Sequence, residues 1–265
     1  MNIIVCVKQV PDPEAPPTSF KIDSAANKVV PAPSVKPVVS PFDEYGVEAA
    51  LRLKDADATT KVSVLSAGKS FALDVIKKPL SMGADNLFLV QDDALENADS
   101  FTTASALAAA IKKIGPFDLI LCGRQASDWD SGQVGSGLAE LLGIPSVTVA
   151  RKVEVKAGKA RVERVLSDGY EVVEVSLPAL ITASNEVGAP RYPTLKGIMA
   201  SKSKPVTTWK AADLGLDAAK LQANKTKVLK LYQPVRESKV EFVKADTPAD
   251  AGIALAQRLR QAKLL

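Results

Sequence analysis

The chain has 265 residues, 46% hydrophobic and 24% charged, with a net charge of +4. This is an ordinary globular balance, enough for one large domain or two small ones. It excludes a strongly basic nucleic-acid surface, and no apolar run approaches the roughly 20 residues of a membrane span.

Aromatic residues, at 5%, are too few for base-stacking platforms. Histidine is absent, which removes histidine acid–base catalysis, Ser-His-Asp triads and histidine metal sites. The start, MNIIVCVKQV, goes straight into a strand and lacks the basic head and small-residue cleavage site of a signal peptide. A cytoplasmic protein is expected.

Ile3–Val7 reads as an apolar strand, and residues 11–41 as a proline-rich stretch with a short hairpin in KIDSAANKVV. Ser40-Pro41-Phe42-Asp43 has the form of a helix start, with serine at the N-cap, proline at N1 and an acid at N3. Val62–Leu65 is the next strand, followed by a helix over Phe71–Met82 that Pro79 disturbs near its end. Strand Leu87–Val90, helix Asp99–Ile114, strand Leu119–Cys122 and helix Gln133–Leu142 complete the series. Such alternation predicts a parallel sheet with helices on both faces.

After Pro145 the pattern changes to consecutive hairpins: Val147–Val155, Ala160–Leu166 and Tyr170–Val175, with turns at Ala157-Gly158-Lys159 and Asp168-Gly169. Strand Ala179–Ser184 leads into a stiff loop at 185–193 and a short helix at 194–200. Residues 202–245 show weak periodicity and read as an extended arm. Thr247-Pro248-Ala249-Asp250 then caps a last helix ending at Ala262. The division expected is an α/β domain over 1–200 and an arm with its helix over 201–265.

The richest stretch is 118–143. A buried strand stops, releases a loop with Asp128, Asp130 and Ser131, and feeds a helix start marked by Gly132, Gly135 and Gly137. This is where open α/β sheets hold phosphates. The glycine order, G-x-x-G-x-G, is not the dinucleotide fingerprint. The backbone N–H groups of Gln133, Val134 and Gly135 could meet an anion, with Gly135 leaving room for it. Asp128 could accept from ribose hydroxyls. The alternative is that Asp128, Asp130 and Ser131 only cap the helix.

Gly68-Lys69-Ser70 looks like the end of a P-loop, but Ser63 stands where the motif needs its first glycine. The plainer reading is a strand-to-helix turn capped by Ser70. Cys6 and Cys122, each late in an apolar strand, read as buried thiols. Two cysteines cannot build a four-cysteine zinc site, so redox chemistry would come from a bound cofactor. By pattern alone, the exposed Leu195 and the basic run 202–210 are ordinary surface.

Seven motifs carry a resemblance: Val5-Cys6-Val7-Lys8-Gln9-Val10, Ser40-Pro41-Phe42-Asp43-Glu44, Ala-Leu-Arg-Leu-Lys at 50–54, Met82-Gly83-Ala84-Asp85, Gly123-Arg124-Gln125, Asp128 through Gly135, and Ala189-Pro190-Arg191-Tyr192-Pro193-Thr194-Leu195. In this order, over the whole chain, they resemble the β subunit of electron transfer flavoproteins. The resemblance implies a Rossmann-like, adenine nucleotide α-hydrolase-like fold with a β-hairpin extension and a C-terminal arm ending in a helix that docks on an α subunit. It also implies a heterodimer whose redox FAD is held mainly by that α subunit. An AMP would sit in the β subunit or, in electron-bifurcating, NADH-oxidising members, a second FAD in its place.

By motif, the nucleotide would contact Cys6, Ser40, Pro41, Phe42, Asp43, Ala67, Cys122, Gly123, Arg124, Asp128, Ser131, Gln133, Val134 and Gly135. The recognition loop would be Arg191, Tyr192, Pro193, Thr194, Leu195, Lys196, Gly197, Ile198 and Met199, with Leu195 the anchor that enters partner dehydrogenases. This reverses the pattern-only reading of Leu195. The partners implied are acyl-CoA dehydrogenases as donors and a membrane quinone oxidoreductase as acceptor, with the chain a carrier rather than an enzyme.

The chain departs from the family pattern in places. Ser40 replaces an asparagine, and Asp12 is followed by Pro13 rather than tyrosine. Glu163-Arg164-Val165-Leu166 lacks a second acid. The 128–135 stretch lies close to the bifurcating form, with Trp129 in place of a glycine. An ATP-using α/β enzyme is the remaining alternative; it lacks a P-loop and a general base.

Overall fold

The computed structural model describes residues 1–222, 224–234 and 240–265. They divide into two units, Met1–Leu229 and Lys230–Leu265.

The first unit is built on strands whose apolar runs are buried on both faces, as a covered parallel sheet requires. The central ones are β1 (Asn2–Cys6), β6 (Lys61–Gly68), β7 (Asn86–Gln91), β8 (Leu119–Gly123) and β12 (Ala179–Ala183); β8 and β12 are buried at every position. Two small ribbons lie between β1 and β6 in the chain, β2 (Gln9–Pro11) with β5 (Pro37–Val39) and the expected hairpin β3 (Phe20–Asp23) with β4 (Lys28–Pro31). The hairpin extension is β9 (Ser146–Lys156), β10 (Lys159–Leu166) and β11 (Gly169–Ser176).

With β13 (Val206–Trp209), these form a nine-stranded sheet of order β11-β10-β9-β12-β8-β1-β6-β7-β13. It is parallel from β9 to β13 and antiparallel in the hairpins. The fold is thus α/β and Rossmann-like, as expected. The chain winds from β1 outward through β6 and β7, then returns to place β8 on the other side of β1. That reversal opens a crevice at the carboxyl ends of β1 and β8, where such sheets bind ligands.

One face is covered by α1 (Pro41–Ala56), α2 (Leu73–Ile76) and α3 (Lys78–Met82), through a core that includes Ile3, Val5, Val47, Leu51, Val64, Leu80 and Leu121. The other is covered by α4 (Ser100–Ile114) and α5 (Val134–Leu142), over Ile4, Leu65, Ile111, Ile120, Leu138 and Leu180. A short helix, α6 (Leu195–Ser201), packs on α3.

Three expectations change. The helix expected over 71–82 is two helices, because Pro79 has no N–H to give to the preceding turn and instead sits in the first turn of α3. Ser70 caps nothing: α2 starts at Leu73 with Ala72 at the N-cap.

The arm begins later than expected. Val206–Trp209 pairs in parallel with Leu87–Val90 as an edge strand, and Trp209 stacks on Phe88 at 5.3 Å between ring centroids. Four residues, three half-buried and Thr208 exposed, are too few to show a period, which is why the sequence does not reveal this strand. A further short helix, α7 (Ala218–Gln222), also belongs to the first unit. The second unit carries α8 (Pro248–Gln261), capped as expected by Thr247, whose hydroxyl accepts from the Asp250 N–H at 3.1 Å.

Candidate functional site

β1 and β8 end level, with Cys6 directly opposite Cys122. Both thiols are free and buried. The Cys6 side chain and burial hold the Cys122 thiol well above its ordinary range, so it lines the floor of the crevice as a neutral group.

The start of α1 is fastened to both strand ends by one carboxylate. Asp43 Oδ2 accepts from the Lys8 backbone N–H at 2.7 Å, and Oδ1 accepts from the Gly123 N–H at 3.2 Å. Burial pushes the Asp43 pKa up to about 7, against the lowering effect of these two bonds and of the Lys8 charge. Gly123 is required here, since a Cβ would stand 2.5 Å from Asp43 Oδ1 and 2.6 Å from the Phe42 carbonyl. Ser40 and Pro41 take the positions expected of them, but the Ser40 hydroxyl makes no cap bond.

The loop after β8 leaves over this floor. The Arg124 N–H donates to Ala183 at 3.0 Å, and its guanidinium lies 4.9 Å from the Phe42 ring centre. Asp128 receives the Lys8 ammonium on both oxygens, at 2.7 and 2.9 Å. Asp130 accepts from Gln125 Nε2 at 2.8 Å, and Ser131 Oγ lies 3.3 Å from Ser100 Oγ.

None of these three caps α5. Gln133 occupies the N-cap position without a side-chain bond, so the first N–H groups of α5 have no side-chain partner there. The reading in which the acids merely cap the helix therefore fails. Gly135 has a different duty from the one expected. A Cβ there would meet Thr182 Cγ2 at 2.7 Å, so this glycine lets α5 lie against β12; it does not clear a path to the backbone.

Buried polar atoms test whether a nucleotide fits. Ser40 Oγ, Ser66 Oγ, Arg124 Nε and Ser127 Oγ are all buried without a protein partner. A buried group left unsatisfied costs about 1–3 kcal/mol, and each calls for an explanation. All four lie on segments at the carboxyl edge around β1. A fifth such atom, Arg164 Nε, lies away in the hairpin. Hydroxyls, a guanidinium, the uncapped start of α5 and the Asp128–Lys8 pair are the groups that could hold a ribose and phosphate.

Ser66, Ser127 and Lys8 were not singled out as contacts from the sequence. Ser66 directly follows Leu65, which stands opposite Cys6 in register, and that strand-end position is the signal that could have found it. Ala67, next in the chain, is half-buried. The P-loop reading ends here, because Lys69 is engaged by Glu96 at 3.0 Å.

The second expected site is the loop at 191–199. Arg191 does not face outward. Its Nε and backbone N–H donate to Glu48 Oε2 at 2.9 and 3.0 Å, and its Nη2 reaches Asp55 at 2.7 Å. Glu48 is 4% exposed and also accepts from Arg52 Nε at 2.9 Å. Burial raises the Glu48 pKa, but the two arginines outweigh it and hold the carboxyl below its ordinary value.

Thr194 caps α6, accepting from the Gly197 N–H at 3.0 Å, and Gly197 lies against the Ser81 carbonyl of α3. On this fixed base Tyr192 is 91% exposed, Leu195 78% and Met199 60%; Ile198 and Lys196 are exposed as well, and Pro193 is half-buried. The expected loop thus splits into residues that pin it and residues that present an apolar crest.

Comparison with known proteins gives this geometry a family. Residues 29–214 match the model of the electron transfer flavoprotein domain. The chain is 42% identical to the electron transfer flavoprotein subunit beta of Megasphaera elsdenii over 90% of this chain and 89% of that one. It is 37% identical, over 100% of both chains, to the caffeyl-CoA reductase-Etf complex subunit CarD of Acetobacterium woodii. It is 41% identical to the corresponding β subunit of Thermoanaerobacterium thermosaccharolyticum over 89% of this chain and 90% of that one. The chain belongs to the electron transfer flavoprotein family, among its β subunits.

Proposed function

We propose that this chain is the β half of a cytoplasmic αβ electron carrier that takes electrons from acyl-CoA dehydrogenases and delivers them to a membrane quinone oxidoreductase. The FAD, held mainly by the α subunit, supplies the one- and two-electron chemistry. The residues of this chain bind, orient and dock.

At the carboxyl edge Ser40, Ser66, Arg124, Ser127 and the start of α5 would hold an AMP, with Asp128 towards its ribose and Cys6 and Cys122 beneath it. Such a nucleotide has a structural duty, stabilising the folded chain by mass action.

The observation that carries the docking role is Leu195, exposed on a loop that Arg191, Thr194 and Gly197 hold in place. A rigid, exposed apolar side chain is the kind of anchor that dominates an interface. The complex named for the Acetobacterium woodii relative contains an enzyme acting on a CoA thioester, which supports a CoA-ester dehydrogenase as the partner. Stopped-flow reduction of the αβ heterodimer by a reduced acyl-CoA dehydrogenase tests this. Transfer that depends on Leu195 supports it, and absence of transfer would refute it.

A second reading places a second FAD in the carboxyl-edge site and gives the complex an NADH-oxidising, bifurcating role. Trp129, the departure from that form, is 55% exposed, so its ring does not fill the cradle. In this reading the heterodimer carries two flavins. No helix among the described residues is long and apolar enough to cross a membrane, consistent with a carrier that meets its quinone reductase by docking.

A further inference from the structure

A cleft of about 530 Å³ lies between β5, the α2–α3 corner and α6. Pro37, Val38, Val39, Val75, Pro193 and Ile198 supply its apolar lining. Two of these, Pro193 and Ile198, belong to the segment that presents Leu195, so the cleft and the apolar crest are one continuous surface.

The charges around it are unbalanced. Lys77, Lys78 and Lys202 line the cleft against a single acid, Asp74. Lys78 is neutralised by Glu44 at 2.5 Å. Lys77 and Lys202 have no acidic partner among the described residues, and Lys202 is fully on the surface. Lys204 is turned away, its ammonium spent on the Leu80 and Ala84 carbonyls at 2.8 and 2.6 Å.

We infer that this cleft is a second docking point for the redox partner protein, taking an apolar side chain carried on an acidic segment of that partner. The inference rests on the docking role proposed for Leu195. The exchange is then reciprocal: Leu195 enters the partner, and the partner enters the cleft beside it. An apolar floor with a cationic rim favours such a segment, since rim charges steer encounter and fix register while the buried apolar contact holds the complex. Two anchors also fix orientation better than one, which a flavin-to-flavin transfer needs more than raw affinity.

The test uses the αβ heterodimer with its bound cofactors and a purified acyl-CoA dehydrogenase as probe, with affinity read by titration. The variants are K77E/K202E, L195A and K112E/K210E, a charge-matched control on the α4 side of the sheet. The K77E/K202E pair is expected to weaken binding about tenfold at low salt, with the difference shrinking towards twofold as salt rises. The control stays within twofold of wild type. Equal affinity for wild type and K77E/K202E, with L195A still impaired, overturns the cleft while leaving the docking loop standing. Equal weakening in K77E/K202E and K112E/K210E also overturns it, since net charge alone would then account for the loss. No binding by wild type refutes the dehydrogenase reading, and the cleft as proposed falls with it. Unchanged nucleotide content in every variant verifies that the folded chain is being compared.

Discussion

Arg191 lays its guanidinium fork on Glu48, 143 residues earlier in the chain, and the same carboxylate accepts from the Arg191 backbone N–H. A loop is thereby fastened to the middle of α1, whose first turn is fastened by Asp43 to the ends of β1 and β8. One helix holds both the candidate nucleotide site and the docking loop in register.

Removing that fork should be costly. Arg191→Ala leaves Glu48 buried with Arg52 as its remaining ionic partner, and breaking a buried pair on one side costs on the order of 3 kcal/mol. Arg191→Lys keeps the charge but not the forked geometry, and should lose less. Urea midpoints of the two variants check the order. Equal stability of wild type and Arg191→Ala would mean the clamp contributes nothing.

Leu195→Ala should act on docking alone. Its side chain is mostly in solvent, so truncation does not disturb the core. The loss expected is about 2 kcal/mol of binding, the threshold of a hot-spot residue. Electron transfer from the dehydrogenase should slow at limiting concentration while flavin content and thermal midpoint stay unchanged. A parallel drop in stability would place Leu195 in packing instead.

Asp43 should make stability depend on pH across neutrality. Its pKa rises from 3.8 to about 7 on folding, so the folded chain holds a proton that the unfolded chain releases. The linkage then runs opposite to the common carboxylate case: stability falls as pH climbs from about 4 through 7 and levels off above. Carboxylates ordinarily titrate near pH 4 and, with no histidine in the chain, little else titrates between about pH 5 and 7. Urea midpoints of the nucleotide-free chain at pH 5 and 8 measure the slope, and Asp43→Asn should flatten it. A wild-type profile that rises over the interval contradicts this account.

Gly135→Val should destabilise the fold rather than selectively empty the site. Thr182 Cγ2 stands 2.7 Å from where a Cβ would lie, so α5 would be pushed off β12, and overpacking of this kind costs about 1–3 kcal/mol or more. Circular dichroism against temperature, with nucleotide in excess, separates the cases. A fully stable Gly135→Val protein that fails to retain nucleotide would restore the phosphate-clearance reading.

The sequence made most of the parallel core legible, because buried strands such as Leu119–Cys122 are unbroken apolar runs and the α1 start carries Ser-Pro-x-Asp. It also marked the carboxyl edge through the strand–loop–helix at 118–143. What it hid are interactions between distant segments. The inward turn of Arg191 depends on Glu48 and Asp55, and the role of Asp128 depends on Lys8. The duty of Gly135 depends on Thr182. None of these pairings leaves a local pattern. The strand at 206–209 was missed for its brevity, and the position of Leu195 as an anchor came from resemblance, since an exposed leucine carries no signal of its own.

The central claim is that the carboxyl edge of this chain holds an adenine nucleotide within a flavoprotein carrier. Acid extraction of the purified αβ heterodimer, with separation and counting of AMP and FAD, tests it most directly. One AMP and one FAD per heterodimer is the result expected, and two FADs with no AMP would assign the edge to a second flavin. A heterodimer that releases its FAD but no nucleotide traceable to the β subunit would contradict the account.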